Sequence, residues 1–244
     1  MKNSDKTILL IHGAWEGAWS WEQTTEHLEQ NGHNIISIDL PGHGDDKTPI
    51  SEITMALYAN RVKQELEKIN GRVILVGHSF AGFVVSKVAE EVPEKIEKLV
   101  YVASAVPYEG KTVIEVFTED TESEFLKNLI FSEDQSEVTM SRETIKNIVF
   151  TGATDEQIDA LMPKLVVQAT KPFFEQVITT PENFGRVPKA YIETTLDRVT
   201  TIKAQRHGQK ILGIDVVITL KNGHVPLETA PKELAHALNK IATS

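Results

Sequence analysis

Short apolar runs rich in β-branched residues alternate along the chain with longer stretches whose apolar positions recur every three or four residues. The runs fall at residues 7–11, 34–39, 72–76, 99–103, 189–195 and 214–220, and each has the length of a buried strand. Between them, residues 20–30, 51–69, 80–91 and 227–241 carry helical spacing; in the last, Leu227, Leu234, Leu238 and Ile241 can share one face. This alternation predicts βαβ units and the α/β class, a mostly parallel sheet of about six strands with helices over both faces.

The rhythm fails over residues 105–187, where acid-rich, helix-favouring segments such as 121–130 and 155–167 are not separated by clear strands. The expectation is a helical cap inserted after one strand and before the next, on a core formed by residues 1–104 and 188–244. A chain of 244 residues is long enough for one such domain.

The segment Val73-Ile74-Leu75-Val76-Gly77-His78-Ser79-Phe80-Ala81-Gly82 runs from an apolar strand through a small-residue turn into an amphipathic helix. A serine on such a turn is held in strained backbone with its hydroxyl presented outward, and small neighbours let strand and helix approach. Gly77 and Ala81 are expected to make that room, Ala81 standing where G-x-S-x-G has its second glycine. A helix beginning here also aims the Phe80 N–H at the oxygen that gains charge during acyl transfer. The first strand ends in His12-Gly13-Ala14-Trp15, and the Ala14 N–H is the candidate for the second donor, with His12 read as structural.

The base must be a later histidine on a loop at the carboxyl edge of the sheet. His78 adjoins Ser79 but is expected to point away, His207 lies in a polar helical stretch and His236 inside the last helix. His224, in Lys221-Asn222-Gly223-His224 directly after a strand, remains. For the acid, Asp197 closes a strand, Glu193 lies within it, and Asp215 begins the next strand at the opposite edge; Asp197 beside Arg198 also fits a surface ion pair. Trp15, Phe80, Val106 and Phe117 either line an apolar cleft under the cap or pack as core.

Composition narrows the rest. Apolar residues make up 41% and charged residues 25% of the chain, ordinary values for a globular domain. A net charge of -10 opposes binding to nucleic acid or an anionic membrane surface. No apolar run approaches a membrane span or a signal peptide, so a cytoplasmic location is expected. With no cysteine there is no thiol nucleophile, and no histidine spacing or glycine loop calls for a metal or a cofactor. The expected partner is a small-molecule ester, with a homodimer left open.

The segments His12-Gly13-Ala14-Trp15 with Trp19 and Trp21, Asp39-Leu40-Pro41-Gly42-His43-Gly44 and Gly77-His78-Ser79-Phe80-Ala81-Gly82 together resemble one family. It is the α/β-hydrolase family of plant methyl esterases, salicylic-acid-binding esterases and hydroxynitrile lyases with their bacterial relatives. The likeness spans residues 7–108 and 184–244 and loosens in the cap. It implies Ser79 as nucleophile, His224 as base, Asp197 as acid, and an oxyanion hole from the amides of Ala14 and Phe80. The family's lyases carry a threonine in the first loop and a lysine after the catalytic histidine, where this chain has Gly13-Ala14 and Val225-Pro226. A carboxylesterase acting on small, including methyl, esters is therefore expected; the alternatives are a lyase-like reaction with the same triad and a non-catalytic small-molecule binder.

Overall fold

The computed structural model describes residues 5–244. Its strands are β1 (Thr7–Ile11), β2 (Asn34–Ile38), β3 (Val73–His78), β4 (Ile96–Val102), β5 (Ile130–Phe131), β6 (Glu137–Thr139), β7 (Gln168–Ala169), β8 (Lys189–Thr194) and β9 (Val216–Leu220). Six of them form one sheet in the order β2-β1-β3-β4-β8-β9, with every neighbouring pair parallel. All six apolar runs are strands of this sheet, with ends displaced by up to three residues. The central ones were legible because parallel strands covered on both faces need uninterrupted apolar sequence; β3 is buried along its whole length.

The helices are α1 (Glu22–Glu29), α2 (Met55–Lys68), α3 (Ala81–Glu91), α4 (Val113–Glu119), α5 (Arg142–Thr144), α6 (Asp155–Leu161), α7 (Ile202–Ile211), α8 (Pro226–Thr229) and α9 (Pro231–Ala242). The helix expected at 227–241 is thus two helices. Pro231 has no N–H to continue a helix and instead starts α9 at its first turn, with Ala230 between them in non-helical backbone.

Residues 105–187 differ more from expectation. They hold a small antiparallel sheet, β5-β6-β7, in a stretch read as having no clear strands. Residues 121–130 form no α-helix, only a single 3₁₀ turn at Leu126–Asn128: Phe125 turns into the interior, packing against Phe117 with ring centroids 4.5 Å apart, while the Glu124 N–H is taken by the Arg198 carbonyl. Tertiary contacts override local propensity there. The helix at 155–167 stops as α6 at Leu161, because Pro163 follows and closes it in a single 3₁₀ turn, Met162–Lys164.

Parallel register does the positioning. Ile11 at the end of β1 lies beside Gly77 near the end of β3, and Thr194 at the end of β8 pairs with Leu220 at the end of β9. The loops after all four strands therefore emerge at one edge. The chain reverses its winding direction between β1 and β3, the place where such sheets leave a crevice. Among the described residues no helix is long and apolar enough to cross a membrane.

Behind the turn after β3, helix α3 lies very close to the end of β4. A Cβ on Gly82 would stand 2.0 Å from Ser104 Oγ and 2.3 Å from the Ala105 carbonyl, so Gly82, next to the fully buried Ala81 of the motif, must also stay small. Overpacking of this kind costs about 1–3 kcal/mol. Gly82→Ala is expected to lower the urea midpoint without changing the slope of the unfolding curve, a shift read by circular dichroism.

Helix α8 packs on α1 and holds a half-buried carboxyl. Burial, with a further push from the nearby Glu16 carboxylate, raises the Glu228 pKa from 4.5 to about 7. A carboxyl whose pKa is higher in the fold than in the unfolded chain binds its proton more tightly when folded. Its contribution to stability is full below about pH 4.5 and is lost as pH rises through about 7. Glu228→Gln is expected to raise the melting temperature at pH 8 while changing it little at pH 4.5, as thermal melts at the two pH values would register.

Candidate active site

Ser79 follows β3 with φ of 53°, the left-handed conformation that a non-glycine residue adopts only when its surroundings impose it. The imposing contacts are local and specific. The Ser79 N–H donates to the Val102 carbonyl at 3.1 Å, and the Ser104 hydroxyl donates to the Ser79 carbonyl at 2.6 Å. Gly77 gives room on the strand side, where a Cβ would lie 2.8 Å from Val85 Cγ2.

The Ser79 hydroxyl donates to His224 Nε2 at 2.7 Å, and His224 Nδ1–H donates to Asp197 Oδ2 at 2.8 Å. The two loops carrying the histidine and the aspartate are tied together beyond the strands, where the Leu196 N–H donates to the Asn222 carbonyl at 2.9 Å. The Asp197 side chain is fully buried, and a buried carboxylate requires donors. Its Oδ1 receives the backbone N–H groups of Val199 and Thr200 at 2.8 and 3.0 Å. Its Oδ2 receives, besides His224, the Thr194 hydroxyl at 3.2 Å and Gln205 Nε2 at 3.3 Å. Arg198 does not pair with it; that guanidinium binds Glu124 and the Asn147 carbonyl.

The alternative acids stand elsewhere. Glu193 is engaged by Arg206, Gln209 and Thr219, and Asp215 is exposed ahead of β9. Among the other histidines, His12 accepts the Leu40 N–H at 3.1 Å, and burial lowers its pKa to about 4, so it is a neutral strut between loops. His207 and His236 are exposed on α7 and α9. His78 points away from the Ser79 hydroxyl, toward Glu16 and the His224 carbonyl.

Ala14 lies with Ser79 in the wall of the site and Phe80 follows it in the chain; among the described residues neither backbone N–H donates to a backbone carbonyl outside the helices and strands. Gly13, Ala14, Trp15, Phe125, Met140 and Val149 wall a space of about 10 Å³ beside Ser79 and His224. A larger chamber of about 120 Å³ shares the walls Ala14, Trp15, Met140 and Val149 and continues along Ile145 and Phe150. Trp15 is anchored by its indole N–H on the Val138 carbonyl at 2.8 Å. The strands and turns of residues 130–167 thus close over the serine.

Of the four apolar residues expected along the cleft, Trp15 lines it. Phe80 is buried against Tyr58 and Phe173. Val106 and Phe117 do not reach the space beside Ser79: Val106 faces a separate cavity of about 220 Å³ next to α7, and Phe117 packs on Phe125. Apolar character told that they are buried, not against what. Sequence reading also passed over Glu16, Ser104 and Gln205. Glu16 had a visible signal, a lone acid amid Gly, Ala and Trp residues. Among the described residues no cluster of three or more histidine or acidic side chains is arranged to hold a metal ion.

Relatives carry the same architecture. Putative methylesterase 14, chloroplastic, of Arabidopsis thaliana is 28% identical over 250 residues, covering 97% of this chain and 72% of its own. Salicylic acid-binding protein 2 of Nicotiana tabacum is 28% identical, with 97% of each chain covered. The crystal structure of polyneuridine aldehyde esterase superposes with a TM-score of 0.89 at 23% identity, over 98% of this chain and 100% of that one, a likeness of fold. The model of the alpha/beta hydrolase family matches residues 8–237, from β1 into α9, and takes in the serine turn and the loops that meet it. The chain belongs to the alpha/beta hydrolase family.

Proposed function

We propose that this carboxylesterase-type hydrolase cleaves small carboxylic esters through an acyl-enzyme on Ser79, with His224 as base, Asp197 as the acid that orients it, and the amides of Ala14 and Phe80 as oxyanion hole. The observation that carries the reading is the relay itself, Ser79 Oγ to His224 Nε2 at 2.7 Å and His224 Nδ1 to Asp197 at 2.8 Å. His224 removes the hydroxyl proton as Ser79 attacks the ester carbonyl, and Asp197 stabilises the imidazolium that forms. The two amides receive the oxyanion, and the alcohol departs with the proton from His224. Water, deprotonated by the same imidazole, then releases the acid. Methylesterase-named relatives support ester hydrolysis. A lyase-like reaction draws no support here, since the residue after His224 is the buried, uncharged Val225.

The chamber beyond Met140 and Val149, lined by apolar side chains apart from Glu16 and Thr139, suits the hydrocarbon part of the acyl group, a straight chain of several carbons or a single ring. The chain is accordingly an esterase for uncharged, apolar-acyl esters, methyl esters among them.

Ser79→Ala is expected to remove turnover of p-nitrophenyl butyrate, by a factor on the order of 10⁶ in kcat, while far-UV circular dichroism stays unchanged. Persistent turnover across aryl and methyl esters in that variant contradicts the reading. Ile145→Phe, which narrows the chamber away from the serine, is expected to lower kcat/KM for the hexanoate ester about tenfold and leave the acetate ester within about twofold. Equal losses for both esters would mean that the acyl chain lies elsewhere.

A further inference from the structure

Glu16 is a buried acid in the loop after β1 that the triad chemistry does not use. Its side chain is 4% exposed and that of His78 is 2% exposed. The carboxylate makes two contacts: Oε2 accepts the Gly13 N–H at 2.9 Å and His78 Nδ1–H at 3.1 Å. On its far side, His78 Nε2–H donates to the backbone carbonyl of His224 at 2.9 Å. Both partners of the His78 ring are acceptors, so both ring nitrogens carry hydrogen and the ring is an imidazolium. Burial disfavours that charge, but the Glu16 carboxylate outweighs it and holds the His78 pKa above its ordinary value. The carboxylate in turn stays ionised against its own burial through the charge of His78.

The chain of contacts therefore runs from the loop carrying Ala14, through Glu16 and His78 at the turn of Ser79, to the backbone of the catalytic histidine. These three segments are far apart in sequence, with His78 and His224 separated by 146 residues. The loop at Gly13 also presses on the serine, since a Cβ there would stand 3.2 Å from Ser79 Cβ. The Gly13 N–H is captured by Glu16, which restrains the loop that carries Ala14 beside the serine.

We propose that Glu16 is a positioning residue for the esterase reaction: through Gly13 and His78 it sets the oxyanion loop and the His224 backbone against Ser79. Its side chain also lines the chamber beside Ser79, but it makes no hydrogen bond to the Ser79 or His224 side chain and acts on them through Gly13 and the His78 ring. The role rests on the esterase reading given above. An oxyanion donor displaced by a fraction of an ångström weakens transition-state binding more than ground-state binding, so the loss belongs in kcat.

The test uses the full chain with p-nitrophenyl butyrate, active sites being titrated with an organophosphonate so that kcat is counted per competent serine. Glu16→Ala is expected to lower kcat by about 10–100-fold with KM within about threefold, a part of the loss for a missing oxyanion donor. Glu16→Gln keeps an acceptor oxygen where Gly13 and His78 Nδ1 both bind Oε2 but removes the charge that favours a protonated His78, so kcat is expected to be restored only in part, to between the alanine variant and the parent. Should the alanine variant fail to fold, Glu16→Asp, ionised but one methylene short of both partners, is read in its place with the same expected fall. A purely structural role would lower the melting temperature and leave kcat per titrated site unchanged; that result overturns the proposal. Turnover that depends on Ser79 but is indifferent to Glu16 sinks the positioning role alone, whereas absence of Ser79-dependent turnover in the parent sinks both.

Discussion

The arrangement depends on how closely α3 lies against the end of β4. That approach, possible because Gly82 carries no side chain, keeps Ser79 at a positive φ and brings the Ser104 hydroxyl onto its carbonyl. The strain at one residue is small beside the packing that enforces it, since Phe83, Val84 and Val85 of the same helix are fully buried. A hydroxyl presented in this way has no freedom to turn back into its own helix. The imidazole then needs only to arrive from β9, and the parallel register of β8 and β9 delivers it with its aspartate already bound.

Buried charge is the second organising force. Asp197 receives two backbone amides from the turn that follows it, and Glu16 one from the loop that precedes it. In both cases a carboxylate removed from water is satisfied by groups of the loop it holds in shape, then passes its remaining acceptor capacity to a histidine. Loops at this edge of the sheet are thus ordered from within by their own acids, and each acid connects its loop to the next.

How much of this could be read from residue order follows from which forces are local. The central strands β1, β3, β4 and β8 were legible because both their faces are covered and they need apolar runs such as Val73-Ile74-Leu75-Val76, whereas the edge strands β2 and β9 are partly exposed and are legible from their β-branched composition. Ser79 and His224 were legible because each directly follows a strand. The short strands β5, β6 and β7 were not, for runs of two or three residues leave no periodicity. Residues 121–130 misled for the opposite reason: a helical pattern was present, but burial of Phe125 beside Trp15 and Phe117 took precedence. Val106 and Phe117 have the composition of pocket walls and the location of packing residues. Glu16 stands out as a lone acid in its loop, but its role is legible only once distance is known, because its partner lies 62 positions away.

The separation of these parts along the chain bears on how the molecule acquires activity during folding. The serine and its imidazole are 145 residues apart, and the loop from β1 must close against both. No amino-terminal fragment that stops short of residue 224 contains both the serine and the imidazole. Pairing of β8 onto β4, between residues 90 positions apart, is the non-local step of the slow kind, so recovery of catalysis after dilution from denaturant follows the docking of β8 with β9 rather than the pairing of β3 with β4.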